Sequence, residues 1–399
     1  MIASITNSLR AKAFVKIVSK LRFGRLRLTM PDGNHYQFEG SEKGPDADMT
    51  IHSHNAIKRM MADGKMGFCE AFMVSEITSQ DPAALVELAV MQNDYVEANL
   101  KFSFIKTQLR KVMHYRNNNS KTGSRKNISY HYDLGNSFYD KWLDHSMTYS
   151  SAYFERETDD LKTAQEAKYR RLAEMVDLKP GDRVLEIGCG WGGFAEFAAR
   201  HYDVHITGIT ISQEQYDYAV ARIKDAGLAD KVTLKLTDYR DVTEQFDKIV
   251  SIEMFEAVGE AYWPTYFSTL SRCLHQGGKA ALQVITIDDA IFEDYKREPD
   301  FIQQYIFPGG MLPSVPRLDS PLKSAGLKLV EDNGFGLHYA RTLKEWRDRF
   351  LAAWPEISDT GFDQRFKRMW ELYLAYCEGG FRAGSIDVRH MLIERESSS

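Results

Sequence analysis

The stretch Arg183-Val184-Leu185-Glu186-Ile187-Gly188-Cys189-Gly190-Trp191-Gly192-Gly193 decides the fold. Its first five residues read as a short buried strand. The glycines that follow let a backbone turn tightly and approach a ligand closely. Working outward, a helix near 161–177 ends at Lys179-Pro180-Gly181-Asp182, and a helix at Phe194–His201 follows the turn. Next come a strand at Val204–Gly208, a helix at 213–226, and strands at Val232–Leu236 and Lys248–Ile252. Strands and helices alternating at this spacing predict an α/β fold with a parallel, doubly wound sheet.

The spacing Gly188-x-Gly190-x-x-Gly193 also satisfies the dinucleotide fingerprint. A nicotinamide site, however, wants an acidic residue about 20 positions on to bind the ribose. Here the second strand runs into Gly208-Ile209-Thr210-Ile211-Ser212, which has no carboxylate. The string Val184-Leu185-Glu186-Ile187-Gly188-Cys189-Gly190 resembles motif I of class I S-adenosylmethionine (SAM) methyltransferases. SAM carries no phosphate, so the glycines need only admit its amino-acid portion.

Further motifs follow in order. They are Ile128-Ser129-Tyr130-His131-Tyr132-Asp133-Leu134-Gly135-Asn136, Met147-Thr148-Tyr149-Ser150-Ser151-Ala152-Tyr153-Phe154, and Gly208-Ile209-Thr210-Ile211-Ser212-Gln213-Glu214-Gln215. Phe255-Glu256-Ala257-Val258-Gly259, Tyr305-Ile306-Phe307-Pro308-Gly309-Gly310 and Phe335-Gly336-Leu337-His338-Tyr339 complete the set. Over about residues 113–394 the chain resembles the cyclopropane fatty acid synthases and mycolic acid cyclopropane synthases. That resemblance implies a Rossmann-like SAM methyltransferase domain at 128–394; the polar, basic composition around Tyr115–Lys126 reads as a linker at 113–127, and the end of the chain, 395–399, as a disordered tail. The resemblance also implies a small α+β, sterol-carrier-like domain at 1–112.

Carried over residue by residue, the resemblance implies a SAM site. Tyr149 and Ser150 would meet the methionine part, Gly188 and Gly190 its backbone, Thr210 and Gln215 the ribose, and Asp238 the adenine. It further implies a bound bicarbonate as general base, ringed by Ser151, Glu256, Gln283, Ile285 (through its backbone amide) and Tyr339. Ser151 and Gln283 depart from the family's commoner cysteine and histidine, yet both keep hydrogen-bonding capacity. The implied reaction is transfer of a one-carbon unit from SAM to the cis double bond of an unsaturated phospholipid acyl chain, giving a cyclopropane. A methyl-branched product remains open, and so does a lipid-binding protein without activity.

This chemistry sets physical demands. An isolated alkene is a poor nucleophile, so it must be held in line with the sulfonium methyl in a dry site. The carbocation formed needs surroundings that do not attack it, which aromatic faces provide. A base must then take a proton, with Glu256 either positioning bicarbonate or acting itself.

The N-terminal third differs from the rest. Residues 1–127 hold 19 Lys and Arg against 12 Asp and Glu, whereas the remainder holds 32 against 44. A basic module suits an anionic membrane surface, and there is no recognisable RNA-binding module to make nucleic acid the partner. Ile2, Ile5, Leu9, Ala13, Ile17 and Leu21 recur at helical spacing and predict an amphipathic helix that docks on its own domain or lies in a membrane interface. Arg25–Met30, the turn Pro31-Asp32-Gly33-Asn34, and Tyr36 and Phe38 predict a hairpin. A strand at Met49–Ile51 and helices near 54–62 and 82–95 follow. The scattered Cys69, Cys189, Cys273 and Cys377 suggest reduced thiols and no metal site. No segment approaches the roughly 20 apolar residues of a membrane span. The expectation is a cytoplasmic protein, possible as a homodimer, peripheral on the inner face of the cytoplasmic membrane.

Overall fold

The structure, a computed structural model, describes residues 2–92, 121, 123, 124 and 134–396, with side chains from residue 9 onward. Most of the basic linker expected at 113–127, the motif residues 128–133 and residues 397–399 lie outside this set. The chain divides into two compact units. One comprises Met1–Met113, Glu298–Phe301 and Leu343–Ser385, the other His114–Arg297, Ile302–Thr342 and Ile386–Ser399.

In the first unit, β1 (Phe23–Thr29), β2 (His35–Glu39), β3 (Glu42–Ile51) and β4 (Ile77–Thr78) form a sheet in the order β2-β1-β3-β4. The hairpin predicted from the Pro31–Asn34 turn is β1–β2, with Leu26 opposite Phe38 and Leu28 opposite Tyr36. The helix His54–Met73 starts on Ser53, whose side chain accepts from Asn55 N, and breaks at Asp63 and Gly64. The helix Pro82–Met91 is capped by Asp81, which accepts from Ala83 N and Ala84 N. The helix Gln364–Arg382 also belongs to this unit.

The first helix spans Ile2–Val18, but its buried face is not the expected stripe. Phe14 is buried, while Leu9 is 63% exposed and Ala13 is exposed. One large aromatic anchors the helix better than the regular spacing of smaller residues. Leu21 lies beyond the helix, and the side chains of Ile2 and Ile5 are outside the described residues.

The second unit holds the sheet expected from the glycine turn. Its strands are β5 (Arg183–Ile187), β6 (His205–Thr210), β7 (Val232–Leu236), β8 (Phe246–Ile252), β9 (Leu274–Ile287), β10 (Leu327–Gly334) and β11 (Ile386–Arg395). The order is β10-β11-β9-β8-β5-β6-β7. Strands β5 to β9 pair in parallel, and β11 runs antiparallel between β9 and β10. The chain leaves β5 on one side for β6 and β7, then returns to its other side for β8. That reversal opens a crevice at the carboxyl ends of the strands.

Alternate residues feed two cores. Val184, Val250 and Ala281 face one, while Leu185, Ile187, Ile249 and Leu282 face the other. Glu186 falls two residues after Val184, so it shares the face of the first core, which also receives Tyr169, Leu172 and Ala173 of the helix Leu161–Met175. Two residues of the expected tail are ordered. Arg395 closes β11, and Glu396 N donates to Gly326 O at 3.1 Å.

Candidate active site

The glycine turn after β5 is pinned by Gly188 N and Cys189 N, both donating to Ile209 O at 3.0 Å. Gly188 (φ +82°) and Gly190 (φ +52°) adopt left-handed backbone that favours glycine. A Cβ on Gly188 would strike the Met254 side chain at 2.8 Å, whereas one on Gly190 would meet nothing within 4 Å. The turn is therefore closed on one side and open at Gly190, as a cradle for a ligand requires. On the next strand, Thr210 Oγ1 donates to Gln215 Oε1 at 2.9 Å, so the two residues expected at the ribose stand together. Asp238 is differently committed. Its carboxylate accepts from Arg240 N (3.0 Å), Nε (2.8 Å) and Nη2 (2.7 Å).

The segment Tyr149–Phe154 is laced to two helices. Lys168 Nζ donates to Ser150 Oγ at 2.6 Å and Gln165 Nε2 to Ser150 O at 2.9 Å. Ala152 N donates to Thr342 Oγ1 at 3.2 Å and Phe154 N to His338 Nδ1 at 2.9 Å. Tyr149 lies 5.4 Å from the ring of Tyr139 and 5.5 Å from Trp142, and Tyr139 in turn lies 5.1 Å from Trp191 of the glycine turn. These rings pack on one another as a single aromatic wall.

Beside it lies an acidic cluster built from the carboxyl ends of β8 and β9. Glu253 Oε1 accepts from Ser151 N at 2.8 Å and from Gln283 Nε2 at 2.7 Å, and Glu253 Oε2 accepts from Tyr339 OH at 2.7 Å. Gln283 Nε2 also reaches Ser151 O at 3.2 Å. Ile285 N donates to Glu256 Oε1 at 2.5 Å, while Glu256 Oε2 is buried with no hydrogen-bond partner among the described residues. The structure thus brings Ser151, Glu256, Gln283, Ile285 and Tyr339 into one place.

The electrostatics follow from burial. Glu256 is pushed up to about 8, first by burial and then by the neighbouring Glu253, so it holds its proton at neutral pH. Glu253 is also raised by burial, against the opposing bonds from Tyr339, Ser151 and Gln283. Glu186, with one buried oxygen unpartnered, rises to about 8 through burial. Burial lowers Lys168, and Glu253, Asp144 and Glu186 offset part of that effect.

Sequence reasoning did not single out Glu253, Lys168, Arg171 or His390. The signal for Glu253 was its place just after a parallel strand, where such sheets put their working groups. His390 pairs with Gln283 across β11 and β9, a contact that no local pattern announces. Among the described residues no His, Cys, Asp and Glu group is arranged to hold a metal, no helix is long and apolar enough to cross a membrane, and no cysteine is in a disulfide.

Comparison with known proteins bears on the same residues. Residues 119–391 match the family described as mycolic acid cyclopropane synthetase. The chain is 37% identical to tuberculostearic acid methyltransferase UfaA1 of Mycobacterium tuberculosis, across 93% of this chain and 88% of that one. It is 45% identical to cyclopropane-fatty-acyl-phospholipid synthase of Escherichia coli, over 66% of each. The crystal structure of mycolic acid cyclopropane synthase CmaA1 complexed with SAH and CTAB superposes with a TM-score of 0.64 at 30% identity, covering 68% of this chain and 98% of that one. With its glycine turn open at Gly190 and its site residues assembled at the carboxyl edge of the sheet, the chain belongs to the cyclopropane fatty acid synthase and mycolic acid cyclopropane synthase family and is a SAM-dependent methyltransferase of that kind.

Proposed function

We propose that this enzyme transfers a one-carbon unit from SAM to the cis double bond of an unsaturated phospholipid acyl chain and closes a cyclopropane. The observation that carries the reading is a buried cluster of carboxyl, amide and phenol groups beside an open glycine cradle on the same sheet edge. SAM supplies an electrophilic methyl. Tyr149, Ser150, Gly188 and Gly190 hold its methionine end, and Thr210 and Gln215 hold its ribose. Asp238, fixed by Arg240, orders the adenine side. The aromatic wall keeps water away from the acyl cation and offers ring faces that stabilise positive charge.

The basic N-terminal region attracts the protein to anionic lipid on the inner face of the cytoplasmic membrane, where its substrate resides. A second reading, a methyl-branched product, is favoured by the relative aligned along 93% of this chain, a tuberculostearic acid methyltransferase. The two readings share every step up to the cation. Purified protein incubated with methyl-labelled SAM and vesicles tests the common core. Label is expected in acyl chains of monounsaturated vesicles and absent with fully saturated ones. Label in neither, or equal label in both, contradicts the proposal.

A further inference from the structure

We infer that the carboxylate of Glu253 is the base that takes the proton in this reaction, in the role that the family resemblance gives to a bound bicarbonate. The inference rests on the one-carbon transfer proposed above.

Of the residues implied as bicarbonate ligands, Ser151 through its backbone N–H, Gln283 through Nε2 and Tyr339 through its hydroxyl donate to Glu253, at 2.8, 2.7 and 2.7 Å, while the Ser151 hydroxyl donates to Ala152 O at 3.0 Å. A further one, Ile285 N–H, is spent on Glu256. A separate bicarbonate would have to break these bonds and place another negative charge beside the Glu253 carboxylate. Like charges in a buried site oppose that strongly. The residues therefore do not fit bicarbonate as a resident anion, because a protein carboxylate already stands among its donors.

Three further features hold Glu253 in this role. Arg171 Nε donates to His390 Nδ1 at 3.1 Å, which places the imidazole proton on Nε2. His390 Nε2 then donates to Gln283 Oε1 at 2.8 Å, so the amide of Gln283 is left to present its NH2 to Glu253. Gln283 spans both partners with opposite ends of one amide. The backbone of Glu253 sits at φ +49°, left-handed conformation that a glutamate rarely adopts, and its N–H donates to Gln283 O at 2.8 Å. Strain of this kind persists where the surroundings over-determine a working residue. Glu253 accepts three hydrogen bonds, which favour its charged form against the burial that raises it, whereas Glu256 Oε2 has no hydrogen-bond partner among the described residues and burial pushes Glu256 up to about 8.

The step balances without another reactant. The π electrons of the alkene form a carbon–carbon bond to the methyl as the sulfur–methyl bond breaks, and sulfur keeps that electron pair. The positive charge rests on the adjacent chain carbon. A Glu253 carboxylate oxygen takes a proton from the transferred methyl, and the electrons of that C–H bond close the ring. The carboxyl proton returns to solvent after product leaves.

The test compares wild type, Glu253→Gln and Glu253→Gly in buffer stripped of carbon dioxide and in the same buffer with added bicarbonate, using monounsaturated vesicles. SAM binding is measured alongside as a control for folding. Wild type is expected to run at the same rate in both buffers. Glu253→Gln is expected to bind SAM yet lose turnover on the order of 1000-fold, and Glu253→Gly to regain part of its rate when bicarbonate fills the vacated space. Wild-type turnover that collapses without bicarbonate and returns with it overturns the inference, as does a Glu253→Gln enzyme within tenfold of wild type. A wild type that labels no lipid in either buffer instead defeats the proposed function, and this inference falls with it.

Discussion

Two glycines show how differently the two units use space. In the first unit, Gly379 lies in the helix Gln364–Arg382, and a Cβ there would sit 2.8 Å from Ala83 O, Glu87 N and Val86 Cβ. In the second, a Cβ on Gly190 would meet nothing within 4 Å. One glycine exists so that helices can close on each other, the other so that a gap stays open. Glu378 and the Glu253–Glu256 pair show a second contrast. Glu378 of the first unit lies 3.1 Å from Arg347 and also pairs with Arg382. Glu253 and Glu256 are held mostly by neutral donors. Two guanidinium groups neutralise Glu378. Glu253 instead accepts from neutral N–H and O–H groups, which leave its charge available for chemistry.

The contrast is sharpest under the same substitution at both glycines. Gly379→Val is expected to destabilise the protein by about 3 kcal/mol through overpacking against backbone, seen as a fall in Tm, with SAM affinity in the folded fraction unchanged. Gly190→Val strains a left-handed backbone (φ +52°) but meets no neighbouring atom within 4 Å, so it is expected to lower Tm less than Gly379→Val does and to weaken SAM binding on the order of 100-fold, measured by calorimetry. Equal loss of Tm in both variants would erase the distinction.

A smaller effect is expected at His390, which touches neither SAM nor lipid in this account. His390→Phe frees the Gln283 amide to turn and present its oxygen to Glu253. Turnover is expected to fall about tenfold, while the KM for SAM stays put. A KM change without a kcat change would assign His390 to packing alone.

A further effect concerns pH and is spread over several pH units. Between the ordinary value of 4.5 and about 8, folded protein keeps a proton on Glu256 that the unfolded chain releases. Stability from this group is therefore full below 4.5 and is lost as pH rises toward 8, by at most about 1.4 kcal/mol per pH unit. Glu256→Gln is expected to flatten the fall of Tm across that window. An unchanged slope would mean that Glu256 is ionised in the folded protein.

The legible part of the molecule was the part written in local pattern. The run Arg183–Ile187 with its glycines, and the Pro31–Asn34 turn, announced β5, its cradle and the first hairpin, because period and turn chemistry act over a few residues. The site residues Ser151, Gln283, Ile285 and Tyr339 were reachable only through family resemblance, since they gather from loops, strand and helix far apart in the chain. Glu253 escaped even that route, because its role depends on where three donors point. The chain Arg171–His390–Gln283 joins residues 219 and 107 positions apart, and only β11 lying beside β9 makes it visible. On the first helix the buried residue is Phe14, outside the expected stripe, while Leu9 of that stripe is exposed.

The most direct measurement follows the transferred methyl itself. SAM carrying a fully deuterated methyl is supplied with monounsaturated vesicles, and the isolated acyl chains are read by NMR and mass spectrometry. The account requires a ring methylene that bridges the two former alkene carbons and retains two deuteriums, the third having been taken by the base. A branch keeping all three deuteriums beside a surviving double bond would contradict it.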